Sequence, residues 1–124
     1  MNKFFLKSGA ILGLLGVALG AFGAHALKAM LEANNRADTF ETAVKYQFYH
    51  AFALLIVGVL SKFVDSKWIK FSGNAFLAGV LLFAGSLYTI CFTGITAFGA
   101  VAPIGGTLMI IGWGCLLMAI KDIK

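Results

Sequence analysis

Apolar positions along this chain come in long blocks broken by short polar ones. Three stretches carry no formal charge: residues 8–27 between Lys7 and Lys28, residues 46–61 between Lys45 and Lys62, and residues 71–120 between Lys70 and Lys121. A helix crossing the roughly 30 Å hydrocarbon core of a bilayer needs about 20 apolar residues. The first stretch fits one crossing, and the second fits one if its helix starts before Lys45. The third is too long for one crossing and suits two, with "TGITAFGAVAPIGG" (93–106) as the turn between them. The pattern predicts one all-α domain over 1–124, a four-helix transmembrane bundle with helices near 8–27, 39–61, 71–92 and 103–120.

The polar segments add detail. "KAMLEANNRAD" (28–38) has room for a short surface helix around Ala29 to Ala33. Asp38 and Glu41 have capping-box spacing, which starts the second crossing near Thr39. Glu41 and Lys45, four apart, support its exposed first turns. Trp68, in "KFVDSKWIK", is placed as an interface anchor, and Pro103 sits where a first helical turn accepts proline.

Composition agrees: 60% of the residues are hydrophobic, 12% are charged, and mean hydropathy is +0.93. A small water-soluble fold needs more charge at its surface. Lys3, Lys7, Lys62, Lys67, Lys70, Lys121 and Lys124 would share one side of the membrane, whereas the other holds Lys28, Arg36 and Lys45, offset by Glu32, Asp38 and Glu41. The positive-inside rule then puts both termini in the cytoplasm. The net charge of +5 reflects this orientation and contact with lipid headgroups. No basic patch interleaved with aromatics points to nucleic acid. "MNKFFLK" before an apolar run ending "AHA" (24–26) has the form of a secretory signal, but the expectation is that the segment is kept as the first crossing. Cys91 and Cys115 would differ in depth by about 20 Å, too far for a disulfide, and no His/Cys cluster has metal-ligand spacing, so no metal is expected.

In "SGAILGLLGVALGAFGAHAL", Gly9, Gly13, Gly16, Gly20 and Gly23 share one helical face. Lipid supplies no hydrophobic push between helices, so small residues that let backbones approach favour packing. The first helix is therefore expected to be the most tightly packed, inside the bundle or between subunits; a glycine-lined pore or ligand groove is the alternative. Ser72, Ala75, Gly79 and Ser86 give the third crossing a weaker small-residue stripe, making it the expected partner. On the second crossing, Phe48, Phe52, Leu55, Ile56 and Val59 form a bulky side for lipid. Ala43, Tyr46, Gln47, His50, Leu54 and Ser61 face protein.

Polar groups inside a membrane are costly unless paired, so their positions bear on function. His25 lies three residues before Lys28 and His50 five after Lys45, which sets both about 5 to 8 Å inside the outer boundary. Tyr46 and Gln47 share a face with His50, and Ser86, Tyr88 and Thr89 come from the third crossing at similar depth. This layer is either a site for a ligand or partner, or a set of bonds holding helices in register. Haem between His25 and His50 is a possible use of paired imidazoles, as is a quinone, although neither histidine has a carboxylate partner within its helix. No buried carboxylate or lysine supports hydrolysis or ion conduction.

"GAFGAHAL" (20–27), "TFETAVKYQFYHAFALL" (39–55), "GVLLFAGSLY" (79–88) and "APIGGTLMIIGW" (102–113) together resemble the YgdD/YwdK-like family of small four-helix bacterial inner-membrane proteins, a domain of unknown function with eukaryotic transmembrane relatives. Ala102 stands where that family has threonine before Pro103. The resemblance implies four crossings and a membrane location, and carries no activity, substrate or cofactor. The functional expectation is a non-enzymatic accessory protein, a homo-oligomer or subunit of a membrane complex, whose outer polar layer binds a partner helix, lipid or small amphiphile. A haem- or quinone-binding redox module and a small-solute transporter built by oligomerisation are the alternatives.

Overall fold

A computed structural model describes residues 1–123. In it the chain folds into α1 (Lys3–Ala24), α2 (Lys28–Ala33), α3 (Ala37–Leu60), α4 (Lys67–Thr93) and α5 (Ala102–Ile120), with a 3-10 turn over Thr96–Ala100 before α5. The described residues contain no strand. α1, α3 and α4 are each long and apolar enough to cross a membrane, as is α5 together with the turn before it. The N-terminus, the α3–α4 connection and the end of α5 gather at one end of the bundle, where the Asn2 N–H donates to Gly58 O at 3.1 Å. The α1–α3 connection and the α4–α5 turn form the opposite, loop end.

Local chemistry explains where the helices start. Asn2 caps α1, its Oδ1 accepting from Phe5 N at 3.1 Å, and Ser66 caps α4 through Trp68 N at 3.2 Å. Both helices therefore begin before the last lysine that bounds their apolar run: a charge limits the hydrocarbon span but does not stop helix formation, because exposed lysines extend toward water. α3 likewise begins at Ala37, two residues before the expected start. Arg36 holds the cap position and makes no side-chain capping bond, so Asp38 lies inside the first turn. The chain reaches that point through a Schellman ending on α2, in which Arg36 N donates to Leu31 O at 2.8 Å and Asn35 N to Glu32 O at 3.2 Å. Asn35 takes the left-handed φ of 56° that this motif requires.

α1 packs on α3, α3 on α4, and α4 on α5, so α3 and α4 form the middle of the bundle and α1 and α5 its flanks. One expectation is corrected here: the first helix packs mainly on α3 rather than on the third crossing. Within the single chain it is the least buried of the four long helices, with 22% of its span buried against 44% for α3. Four of its five glycines do face a helix. A Cβ on Gly9 would stand 2.7 Å from Ala51 O, one on Gly16 would meet the Phe48 ring at 2.9 Å, Gly20 faces Val44, and Gly23 faces Phe40. Gly13 faces open space. Phe48 and Leu55 thus fill the glycine notches of α1 rather than lipid, while Phe52, Ile56 and Val59 remain exposed.

The closest backbone approach lies elsewhere, between α4 and α5. A Cβ on Gly105 would fall 2.5 Å from Phe83 N, and one on Gly79 would fall 2.8 Å from Gly105 O. Side chains at these positions would push the helices apart, and van der Waals contact is what holds helices together in lipid. The core beside this seam is formed by Leu54, Val57, Phe76 and Val80, all essentially inaccessible.

Candidate functional site

The buried polar side chains are Gln47, His50, Ser72 and Ser86, and the first three tie helices together. Gln47 on α3 lies between two other helices: its Nε2 donates to Leu12 O of α1 at 2.8 Å, and its Oε1 accepts from the Tyr88 hydroxyl of α4 at 2.6 Å. This orientation of the amide follows from the partners, since a carbonyl can only accept.

His50 is bonded on both ring nitrogens. Trp113 Nε1 donates to its Nε2 at 3.3 Å, and its Nδ1 lies 2.8 Å from Tyr46 O on the preceding turn. Indole N–H is only a donor, so Nε2 accepts and Nδ1 carries the proton. The ring is held neutral in a single tautomer, with no lone pair left for a metal or haem iron. Phe76 packs edge-on against both rings, with centroids 5.5 Å from His50 and 4.8 Å from Trp113. One level nearer the terminal end, Ser72 donates to Gly112 O at 2.8 Å, bonding α4 to α5. No buried side-chain nitrogen or oxygen among the described residues lacks a partner.

The remaining singled-out residues do not join this network. His25 is exposed at the C-cap of α1. It lies beyond the level at which Gly23 meets Phe40, and His50 is ten residues further along α3, so the two imidazoles are separated by at least about 15 Å along the bundle. The expectation that they share one layer is therefore corrected. It equated the depths of Lys28 and Lys45, whereas α3 extends two turns beyond Lys45 alongside α1. Ser86 and Thr89 donate back to their own helix, to Phe83 O at 2.9 Å and Gly85 O at 2.7 Å. Tyr46 is 39% exposed and stacks parallel to His50, with its ring against Phe83. Gly79, singled out for packing, lies in the α4–α5 seam.

Trp113 and the Ser72–Gly112 bond were missed as parts of the polar layer. A tryptophan well inside an apolar crossing was itself a signal, because an indole N–H within hydrocarbon has no water and needs an acceptor.

A separate feature lies at the loop end. A groove of about 390 Å³ runs between the last turns of α1, the first turns of α3, and α2. Gly20, Gly23 and Ala24 form one wall, Phe40 and Val44 the other, and Leu31 reaches in from α2. Lys28, Glu32 and Glu41 stand on its rim. Glu41 pairs with Lys45 at 3.2 Å, the sole ion pair among the described residues. The two cysteines are free: Cys91 is buried, with its Sγ 3.8 Å from Arg36 O, and Cys115 is half-buried.

Comparison with known proteins is consistent with this architecture. Residues 19–106 match the family described as "Protein of unknown function (DUF423)". The chain is 42% identical over 113 residues to a UPF0382 membrane protein of Haemophilus influenzae, covering 91% of this chain and 90% of that one. It is 41% identical over 117 residues to one of Staphylococcus aureus, covering 94% of each, and 39% identical over 118 residues to the UPF0382 membrane protein YwdK of Bacillus subtilis, covering 94% and 95%. No solved structure matches. With four apolar helices of spanning length and relatives of this similarity along nearly its whole length, the chain is a multi-pass membrane protein of the DUF423/UPF0382 family.

Proposed function

We propose that this protein is a non-enzymatic accessory of the bacterial cytoplasmic membrane that holds an amphiphile in its loop-end groove and works as an oligomer or beside a larger membrane complex. The observation that carries this reading is a division of labour among the polar groups. Gln47, His50, Ser72, Tyr88 and Trp113 are each engaged in bonds between or within helices. The loop-end groove instead combines apolar walls with charged groups at its mouth, and its volume falls within the roughly 300–1,000 Å³ usual for small-ligand sites. In this reading the interior polar layer sets helix register and the groove does the binding.

The redox reading finds less support, because His25 and His50 are far apart and both ring nitrogens of His50 are engaged. A small-solute transporter built by oligomerisation draws no support from the single bundle, whose interior around Leu54 and Phe76 is filled. The test is native mass spectrometry of the full chain released from nanodiscs. A lipid-sized mass that stays bound through collisional activation, and is lost when Ala24→Trp fills the groove, is expected. Bare protein under the gentlest release conditions would count against the reading.

A further inference from the structure

Resting on the reading that the loop end holds an amphiphile, we infer that the groove takes a zwitterionic phospholipid whose headgroup carries an ammonium. One acyl chain would lie along the groove beside the α1–α3 contact, the phosphate at Lys28 and the ammonium at Glu32. The groove suits a chain laid along it: Gly20, Gly23 and Ala24 give its α1 wall no long side chain, while Val44 and Phe40 close the seam behind it by packing against Gly20 and Gly23. Leu31 and Phe40, both buried, keep the end under α2 apolar. α2 lies beyond the end of α1, at the depth where headgroups begin.

The charges at the mouth choose the headgroup. Lys28 and Glu32 are four residues apart on α2 and line the same groove, yet they form no ion pair with each other. Lysine preceding glutamate is also the weaker order for such a pair on a helix. Each is thus available to a ligand, one to a phosphate and the other to a cation. Glu41 already has Lys45. Lys28 and Lys45 balance Glu32 and Glu41, so the mouth carries no net charge. An anionic lipid with its phosphate on Lys28 would leave Glu32 facing a second negative group, whereas a zwitterion meets both signs.

The test uses the full-length protein in nanodiscs of phosphatidylethanolamine and phosphatidylglycerol in equal parts, with the retained lipid identified by native mass spectrometry. Phosphatidylethanolamine should be the retained species. Lys28→Gln and Glu32→Gln should each lower its retention about threefold, the scale of an exposed charge pair, with circular dichroism unchanged. Ala24→Trp should remove lipid of either class. Retention of phosphatidylglycerol, or of both lipids equally, would overturn the headgroup assignment while leaving the amphiphile reading intact. An endogenous peptide in place of lipid would overturn both, as would no retained mass.

Discussion

Trp113 on α5 and His50 on α3 meet through an N–H···N bond of 3.3 Å, although their helices scarcely touch along the backbone. The contact fixes the imidazole tautomer and spans the bundle over Phe76. In membranes such bonds average about 0.6 kcal/mol, with a maximum near 1.7. Trp113→Phe keeps an aromatic ring but removes the donor. It should destabilise the bundle by about 0.5 to 1.5 kcal/mol in a denaturation titration with sodium dodecyl sulfate. His50→Leu in the Trp113→Phe background should cost less than in the wild type, because the two changes remove the same bond. Strict additivity in that cycle would contradict the contact.

Gln47 should be the more costly position. It joins α1 and α4 at once, so Gln47→Leu breaks two bonds and leaves the Tyr88 hydroxyl without its acceptor. A loss of about 1 to 3 kcal/mol is expected, against less than half of that for Tyr88→Phe. Equal losses from Tyr88→Phe and Gln47→Leu would show that the α3–α4 bond, and not the bridge to α1, dominates.

The glycine face of α1 makes a sharper comparison. At Gly9 an added methyl would strike the Ala51 carbonyl of α3, backbone that can yield only if the helices part; at Gly13 it would meet nothing within 4 Å. Gly9→Ala should destabilise by about 1 to 3 kcal/mol, the usual cost of overpacking. Gly13→Ala should be neutral or stabilise by up to about 1 kcal/mol through helix propensity. Unfolding midpoints of the two variants in the same detergent decide this, and equal losses would mean that Gly13 also faces a neighbour.

How much of this the sequence disclosed follows from physics at two ranges. The crossings were legible because spanning length and charge are one-dimensional constraints, and the glycine face of α1 because helical periodicity is local. Which helix met that face was not legible. α3 meets it because Phe40, Phe48 and Leu55 match notches seven residues apart, and a partner is chosen by shape across two helices. The depth of His50 failed for a related reason, since charged residues mark the edge of hydrocarbon only where the helix stops there, and α3 runs two turns past Lys45. Trp113 was visible as a residue needing an acceptor, but its partner depended on how the flanking helix α5 folds back over α4.

Orientation makes a prediction independent of packing. The terminal end carries Lys3, Lys7, Lys62, Lys67, Lys70, Lys121 and Lys124 by sequence, and the loop end carries Lys28, Arg36 and Lys45. Acidic residues count little in this rule, so the comparison is seven cations against three, over segments short enough for the bias to act. The terminal end should face the cytoplasm and the groove the outside. A fluorescent protein fused after Lys124 should mature and alkaline phosphatase at the same place should stay inactive, while phosphatase fused after Asn34 should be active. The reverse pattern would put Lys28 and Glu32 among cytoplasmic headgroups, and the groove would then draw its lipid from the inner leaflet.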